Sequence, residues 1–222
     1  MATAAKKRSA DELSRVRAFT RTLLIDAALA LFGRKGMRVP AIHEIAAQAN
    51  VATGTFYNYF RTREELLEAA VVERSERLQR EIVDGYRCLR DPAERVSVGC
   101  RRFMLQAETE PLWAAGLVRI WSTTPELLIR TLAPVLADLR AGRRAGRFVY
   151  RRESAAVDLL VGAAAAGIRS VLDGSPARRH GAAVAALILR GLGVRAAAAE
   201  AIARRPLPER LSRPATRRRA RD

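Results

Sequence analysis

Residues 42–60 read IHEIAAQANVATGTFYNYF, two short helical patterns joined by a turn too tight for two independent elements. No other stretch restricts the fold as much. Ile42, Ile45, Ala46 and Ala49 recur at helical spacing and make one apolar face, whose small alanines let a second helix cross close by. Asn50 stands at the corner, and asparagine is one of the few residues besides glycine that accept the left-handed backbone of a sharp helix-ending turn. Val51 can plug that corner. The second helix, expected over about residues 53–60, buries Phe56 and Phe60 and leaves Thr53, Thr55, Tyr57, Asn58 and Tyr59 to face outward. Hydroxyls, an amide and tyrosines with little charge of their own suit a DNA major groove, and Arg61 and Arg63 follow as phosphate contacts. Residues 41–60 thus form a helix-turn-helix pattern. The competing reading is a helical hairpin in a bundle with the tyrosines as core filler.

The rest of the chain fits an all-α protein. Among 222 residues, 49% are apolar and only 5% aromatic, so the core is built of Ala, Leu and Val. That favours packed helices, and no stretch alternates as a half-buried strand does. A first helix is expected over residues 20–33, with Leu24, Ala28, Leu31 and Phe32 inward and Gly33 to Gly36 ending it. Residues 1–14 are expected to be a disordered basic arm, with Ser9 and Glu12 placed to cap a helix extension. Pro40 suits a first helical position. Further helices are expected over about 64–88, 92–109, from Pro111, 125–141 with Pro134 interrupting the ladder near Arg130, 154–172, 182–192 and 195–204. Arg- and Pro-rich residues 205–222 cannot build a core.

Net charge is +17, with eight basic and two acidic residues packed into positions 204–222. Such a balance attracts polyanions in general. Cys88, Cys100, His43 and His180 are too scattered for a metal site, and no nucleophile with its base or carboxylate pair marks an enzyme. No cofactor is expected. The most apolar run, residues 155–172, is broken by Asp158 and Arg169, so a soluble cytoplasmic protein without membrane contact is expected.

The series Ile45-Ala46-x-x-Ala49-x-Val51, then Gly54-Thr55-x-Tyr57-x-x-Phe60-x-x-Arg63-Glu64-x-Leu66, resembles the TetR family of bacterial repressors. TRTLLIDAALALFGRKG is similar to that family's first helix, and the GRF at residues 146–148 to its regulatory domain. Three positions depart: Asn50 for the usual turn glycine, Ala52 for the serine opening the second helix, and Val39-Pro40 for the threonine opening the first. Ala52 removes a side-chain cap commonly worth roughly 1 kcal/mol.

The resemblance implies an N-terminal DNA-binding domain over residues 15–66 and a larger helical ligand-binding and dimerisation domain over 67–204. Thr53, Gly54, Thr55, Tyr57, Asn58, Tyr59 and Arg63 would meet operator DNA. Phe103, Met104, Trp113, Leu117 and Trp121 would either line a cavity for an unidentified small molecule or fill plain core, and Arg119 would be the charged residue nearest an acidic ligand. A homodimer is expected through the helices at 154–172 and 182–192, with Val157, Leu160, Val161, Ala163, Ala166, Gly167 and Ile168 at the interface. The alternative is that residues 154–172 are the core helix of a monomer. The function implied is a ligand-responsive repressor; the alternative is a sequence-independent DNA-compacting protein, which would not require the patterned second domain.

Overall fold

The computed structural model describes residues 2–34, 40–86 and 89–208. Lys35, Arg38, Val39, Cys88, residues 209–222 and the side chain of Phe32 lie outside the described residues. The described residues form helices only.

The first unit is built from α1 (Ala2–Arg34), α2 (Ile42–Gln48), α3 (Thr53–Phe56) and the start of α4 (Arg63–Gly85). Leu24, Ala28, Leu31, Ile45, Ala49, Phe56, Phe60, Leu66 and Ala70 close its core. The expected disordered arm at 1–14 is corrected: α1 is continuous from Ala2, with no break at Thr20. No Gly or Pro interrupts residues 2–32, and Ala, Lys, Arg, Glu and Leu all favour helix. Ser9 therefore lies inside a helix rather than at its start. Pro40 also shifts role, because α2 starts at Ile42 with Ala41 as its cap, and the proline precedes that cap. Thr62 caps α4 by accepting from the Glu65 amide at 3.1 Å, while the Glu65 carboxylate accepts from the Arg61 amide at 2.7 Å.

α4 leaves this unit and enters the second, where Val71, Val72, Leu78 and Ile82 are buried. There it meets α5 (Pro92–Thr109), α6 (Pro111–Thr123), α7 (Pro125–Arg144), α8 (Glu153–Leu172), α9 (Ala177–Gly191) and α10 (Ala196–Arg204). α7 runs through Pro134 and past the expected end near Ala141, and α9 starts earlier than expected, after Pro176. One cluster joins α4, α5, α6 and α8 around Met104, Trp113, Leu117 and Ile168. Another joins α5 to α7, α8, α9 and α10 around Val96, Leu139, Phe148, Leu160 and Leu189. α5 is the shared post. α8 is long and apolar enough for a membrane span by composition alone, but here it lies against α5, α6 and α9.

The GRF stretch has a local cause. Gly146 takes φ +64, which ends α7; Arg147 reaches Asp91 at 2.9 Å; Phe148 is buried where Gly142 leaves room for its ring. Asp91 meanwhile caps α5, accepting from the Ala93 amide at 2.9 Å. Burial pushes the Asp91 carboxyl up, but Arg147 and that amide outweigh it and hold the group below its usual range.

After α10 the chain doubles back over α5. Arg101 donates to the Arg205 carbonyl at 2.8 Å, Arg102 donates to the Pro208 carbonyl, Arg205 pairs with Glu94 at 2.9 Å, and Leu207 packs on the first cluster.

Candidate nucleic-acid interface and cavity

Asn50 adopts φ 54, the left-handed corner its side chain tolerates. The Val51 amide closes the turn on the Ala46 carbonyl at 3.0 Å. α3 begins at Thr53 with Ala52 in the cap position and no side-chain cap bond, so the missing serine has no local substitute. Regular helix lasts only to Phe56. Tighter bonds from Asn58 to Thr55 and from Tyr59 to Phe56 then carry the chain to Phe60.

That shortening changes which side chains face out. Thr53, Gly54, Tyr57 and Asn58 are exposed, Tyr57 by 57%, and Thr55 is half-buried. Tyr59 is a correction: the tightened turn carries it toward the core, where it is partly buried beside Phe56 and Phe60. Tyr57 stands edge-on to the fully buried Phe56, 5.3 Å between centroids, so its base is anchored while its hydroxyl reaches solvent. Nothing lies within 4 Å of a Cβ built at Gly54, which leaves that stretch of backbone open to close approach.

Beside this surface lies an open depression of about 590 Å³ between α2 and the start of α4, bordered by His43, Thr53, Tyr57, Arg61 and Arg63. Arg63 pairs with Glu64 at 3.1 Å. An exposed pair of this kind is worth little, so the guanidinium can change partners for a phosphate. Glu64 is held below its usual range by its backbone hydrogen bond and then by Arg63.

In the second unit a cavity of about 70 Å³ lies among α4, α5, α6, α7 and α8. Phe103 and Trp121 form its aromatic wall, 6.2 Å between centroids, and the Trp121 indole is fixed by donating to Thr131 Oγ1 at 3.0 Å. Arg95, Asp138 and Tyr86 make its polar end. Arg95 Nε lies 2.6 Å from Asp138 Oδ1, the Tyr86 hydroxyl donates to Oδ2 at 3.1 Å, and Arg95 also donates to the Leu89 carbonyl at 3.0 Å. Burial, then the Asp138 charge, pushes the Tyr86 hydroxyl well above its usual value, so it remains a donor. Burial pushes the Cys100 thiol, also at the wall, up to about 12.

Of the five expected cavity residues the structure brings Phe103 and Trp121 to the wall. Met104, Trp113 and Leu117 are fully buried in the core, because Trp113 packs behind Phe103 and donates to Ser75 Oγ at 3.1 Å. Arg119 lies outside the cavity, 3.5 Å from Glu68. Sequence reasoning missed Tyr86, Arg95 and Asp138, which come from three helices with no shared spacing; the one available signal was an aspartate on the otherwise apolar face of α7. Among the described residues no three His, Cys, Asp or Glu side chains gather as a metal site.

The expected interface also needs correction. Leu160, Gly167 and Ile168 face the chain's own core: a Cβ at Gly167 would fall 2.2 Å from Met104 Cε, which seats α8 against α5. Val157, Val161 and Ala163 are half-buried in the same cluster. Only Ala166 of that set is exposed, on a face shared with Leu159 and Gly162, next to exposed Ala183 and Leu187 of α9.

Comparison with known proteins agrees with this arrangement. The profile described as "Bacterial regulatory proteins, tetR family" matches residues 24–70, and that described as "Tetracyclin repressor-like, C-terminal domain" matches residues 91–205. An uncharacterized HTH-type transcriptional regulator of Mycobacterium tuberculosis (strain H37Rv) is 34% identical over 101 residues, 46% of this chain and 48% of its own. The HTH-type regulator BetI of Rhizobium meliloti is 32% identical over 99 residues, 43% of this chain and 49% of its own. The chain thus spans about half the length of the curated relatives it matches. The crystal structure of RolR with its ligand resorcinol superposes with a TM-score of 0.77 at 33% identity, covering 89% of this chain and 99% of that one. FadR of Bacillus subtilis, in complex with stearoyl-CoA, shares the fold with a TM-score of 0.62 at 18% identity, covering 77% of this chain and 98% of that one.

Proposed function

Because the chain belongs to the TetR family of bacterial regulatory proteins, we propose that it is a homodimeric cytoplasmic repressor released from operator DNA by a small, neutral, hydroxylated aromatic molecule. One observation carries the effector class: an aromatic-walled cavity ends in a carboxylate already neutralised by Arg95 and holding a hydroxyl hydrogen bond from Tyr86. Its 70 Å³ holds roughly five or six water-sized groups, about one six-membered ring. A second carboxylate would meet Asp138, whereas a phenolic hydroxyl can donate to it. RolR, whose structure carries resorcinol, supports the same class.

The coupling follows from α4, which reaches from Arg63 beside the reading surface to Tyr86 at the cavity. A ligand hydroxyl that takes the Tyr86 site on Asp138 frees that end of the helix. Two reading helices must stand about 34–36 Å apart to address successive major grooves. A ligand that favours another separation lowers operator affinity by the difference between the two states.

The test is operator selection from random duplexes, then fluorescence anisotropy of the selected duplex during titration with dihydroxybenzenes, benzoate and a long-chain acyl-CoA. Release by the phenols alone is expected. Release by the acyl-CoA alone would refute the effector class, and failure to enrich any sequence would favour sequence-independent DNA binding.

A further inference from the structure

Where its side chains are described, the part of α1 ahead of Thr20 stands clear of the protein. Glu12 and residues 14–19 are all exposed, including Val16 at 59% and Phe19 at 65%. Where it joins the body, the Arg21 guanidinium lies 5.2 Å from the Phe60 ring centroid, at the end of the reading turn just before α4 begins. Farther along α1, Asp26 pairs at 2.7 Å with Arg77, well along α4 toward the regulatory domain. Followed toward Ala2, α1 therefore runs off past the start of α4, away from the regulatory domain. At 1.5 Å per residue the free part reaches about 28 Å beyond Arg21.

Residues 2–22 carry six basic side chains, Lys6, Lys7, Arg8, Arg15, Arg17 and Arg21, against Asp11 and Glu12, a net charge of +4. We propose that this half-helix is a second DNA-contacting element, lying on the phosphates that flank the sequence read by α3. This rests on the operator-binding reading above. The occupant follows from charge and place. By the 100° step Arg15, Arg17 and Arg21 share one arc of about 160°, with Val16 and Phe19 on the other side, so the helix offers one basic face. A second copy would bring like charges together, while a duplex presents phosphates on both sides of a groove. The contacts add affinity and footprint without sequence information.

Two variants test it on the selected operator: the chain lacking residues 2–14, and the full chain with Arg15→Ala and Arg17→Ala. Hydroxyl-radical footprinting and the salt dependence of affinity are the readouts. Both variants should keep the preferred central sequence. The truncation should lose protection at the two outer flanks, and the double substitution should flatten the log–log salt slope by about 0.9 per lost contact. Unchanged slope and footprint in both variants would overturn the proposal, as would a truncated chain that sediments as monomer, which would assign the surface to a second copy. A parent protein that enriches no sequence would overturn the operator reading itself, and this proposal with it.

Discussion

Gly116 on α6 lies so close to Val71 on α4 that a methyl group there would fall 2.7 Å from the valine Cγ2. Just beside it, the Trp113 indole donates to Ser75 Oγ, whose hydroxyl donates to the Val71 carbonyl at 2.7 Å, and Arg74 holds Glu110 at 2.8 Å. These contacts set α6 against the stretch of α4 between the two cores. Gly116→Ala should force the helices apart at a cost of about 1–3 kcal/mol. A lower thermal midpoint together with weaker operator binding by the ligand-free protein is expected; calorimetry and anisotropy would check each.

Tyr57→Ala should leave the thermal midpoint unchanged, since the ring is mostly exposed, and lower affinity for the selected operator at least tenfold. Arg63→Ala should differ by weakening binding to all duplexes alike, with a salt slope shallower by about one unit. Competition between operator and scrambled duplex separates the two outcomes.

Two tryptophans should behave oppositely. Trp121→Ala opens the cavity wall and should abolish ligand release with modest loss of stability, whereas Trp113→Ala removes a fully buried ring and should cost about 3–5 kcal/mol. Urea denaturation beside an effector titration gives both readouts.

Ala166→Arg and Leu187→Arg each place a long charge on an outward face of one chain, so each monomer should fold as the parent does. If α8 and α9 meet their counterparts across a twofold axis, burial of that charge separates the subunits. Sedimentation should then show monomers with unchanged circular dichroism; dimers would place the interface elsewhere.

Cys100 and Tyr86 give a pH signature. Both groups are raised in the fold, so at high pH the unfolded chain releases protons that the native chain keeps. Their contribution is intact at neutral pH and is lost as pH rises, from about 9 for the thiol, whose native value is about 12, and from about 10 for the phenol. The urea midpoint should fall between pH 9 and 10, and Cys100→Ala should flatten that fall. A midpoint independent of pH in this range would contradict the burial of the thiol.

The corner and its anchors were legible because local chemistry decides them: only a few residues tolerate the backbone at Asn50, and Phe56 and Phe60 share one face with Ile45 across a short turn. Tyr59 was not, since its direction depends on α3 giving way to a tighter turn after Phe56. The helix at 153–172 shows a second limit. Being apolar on nearly all sides, its pattern does not say which face its own core takes, and Gly167 turns out to serve Met104 rather than a second subunit. The cavity's polar end was beyond reach for a third reason: residues 86, 95 and 138 meet only through the packing of α4, α5 and α7.

The return of residues 205–208 across α5 gives the protein a natural place for a reporter. Pro208 lies beside Leu78, Ile82 and Gly85, so a small fluorophore on a cysteine at position 208 would sit against the half of α4 that leads to Tyr86. If a ligand moves that helix as proposed, its emission would follow the movement during a titration without a label on the reading surface or in the cavity, turning a packing detail of the chain's last described residues into an optical gauge of the proposed switch.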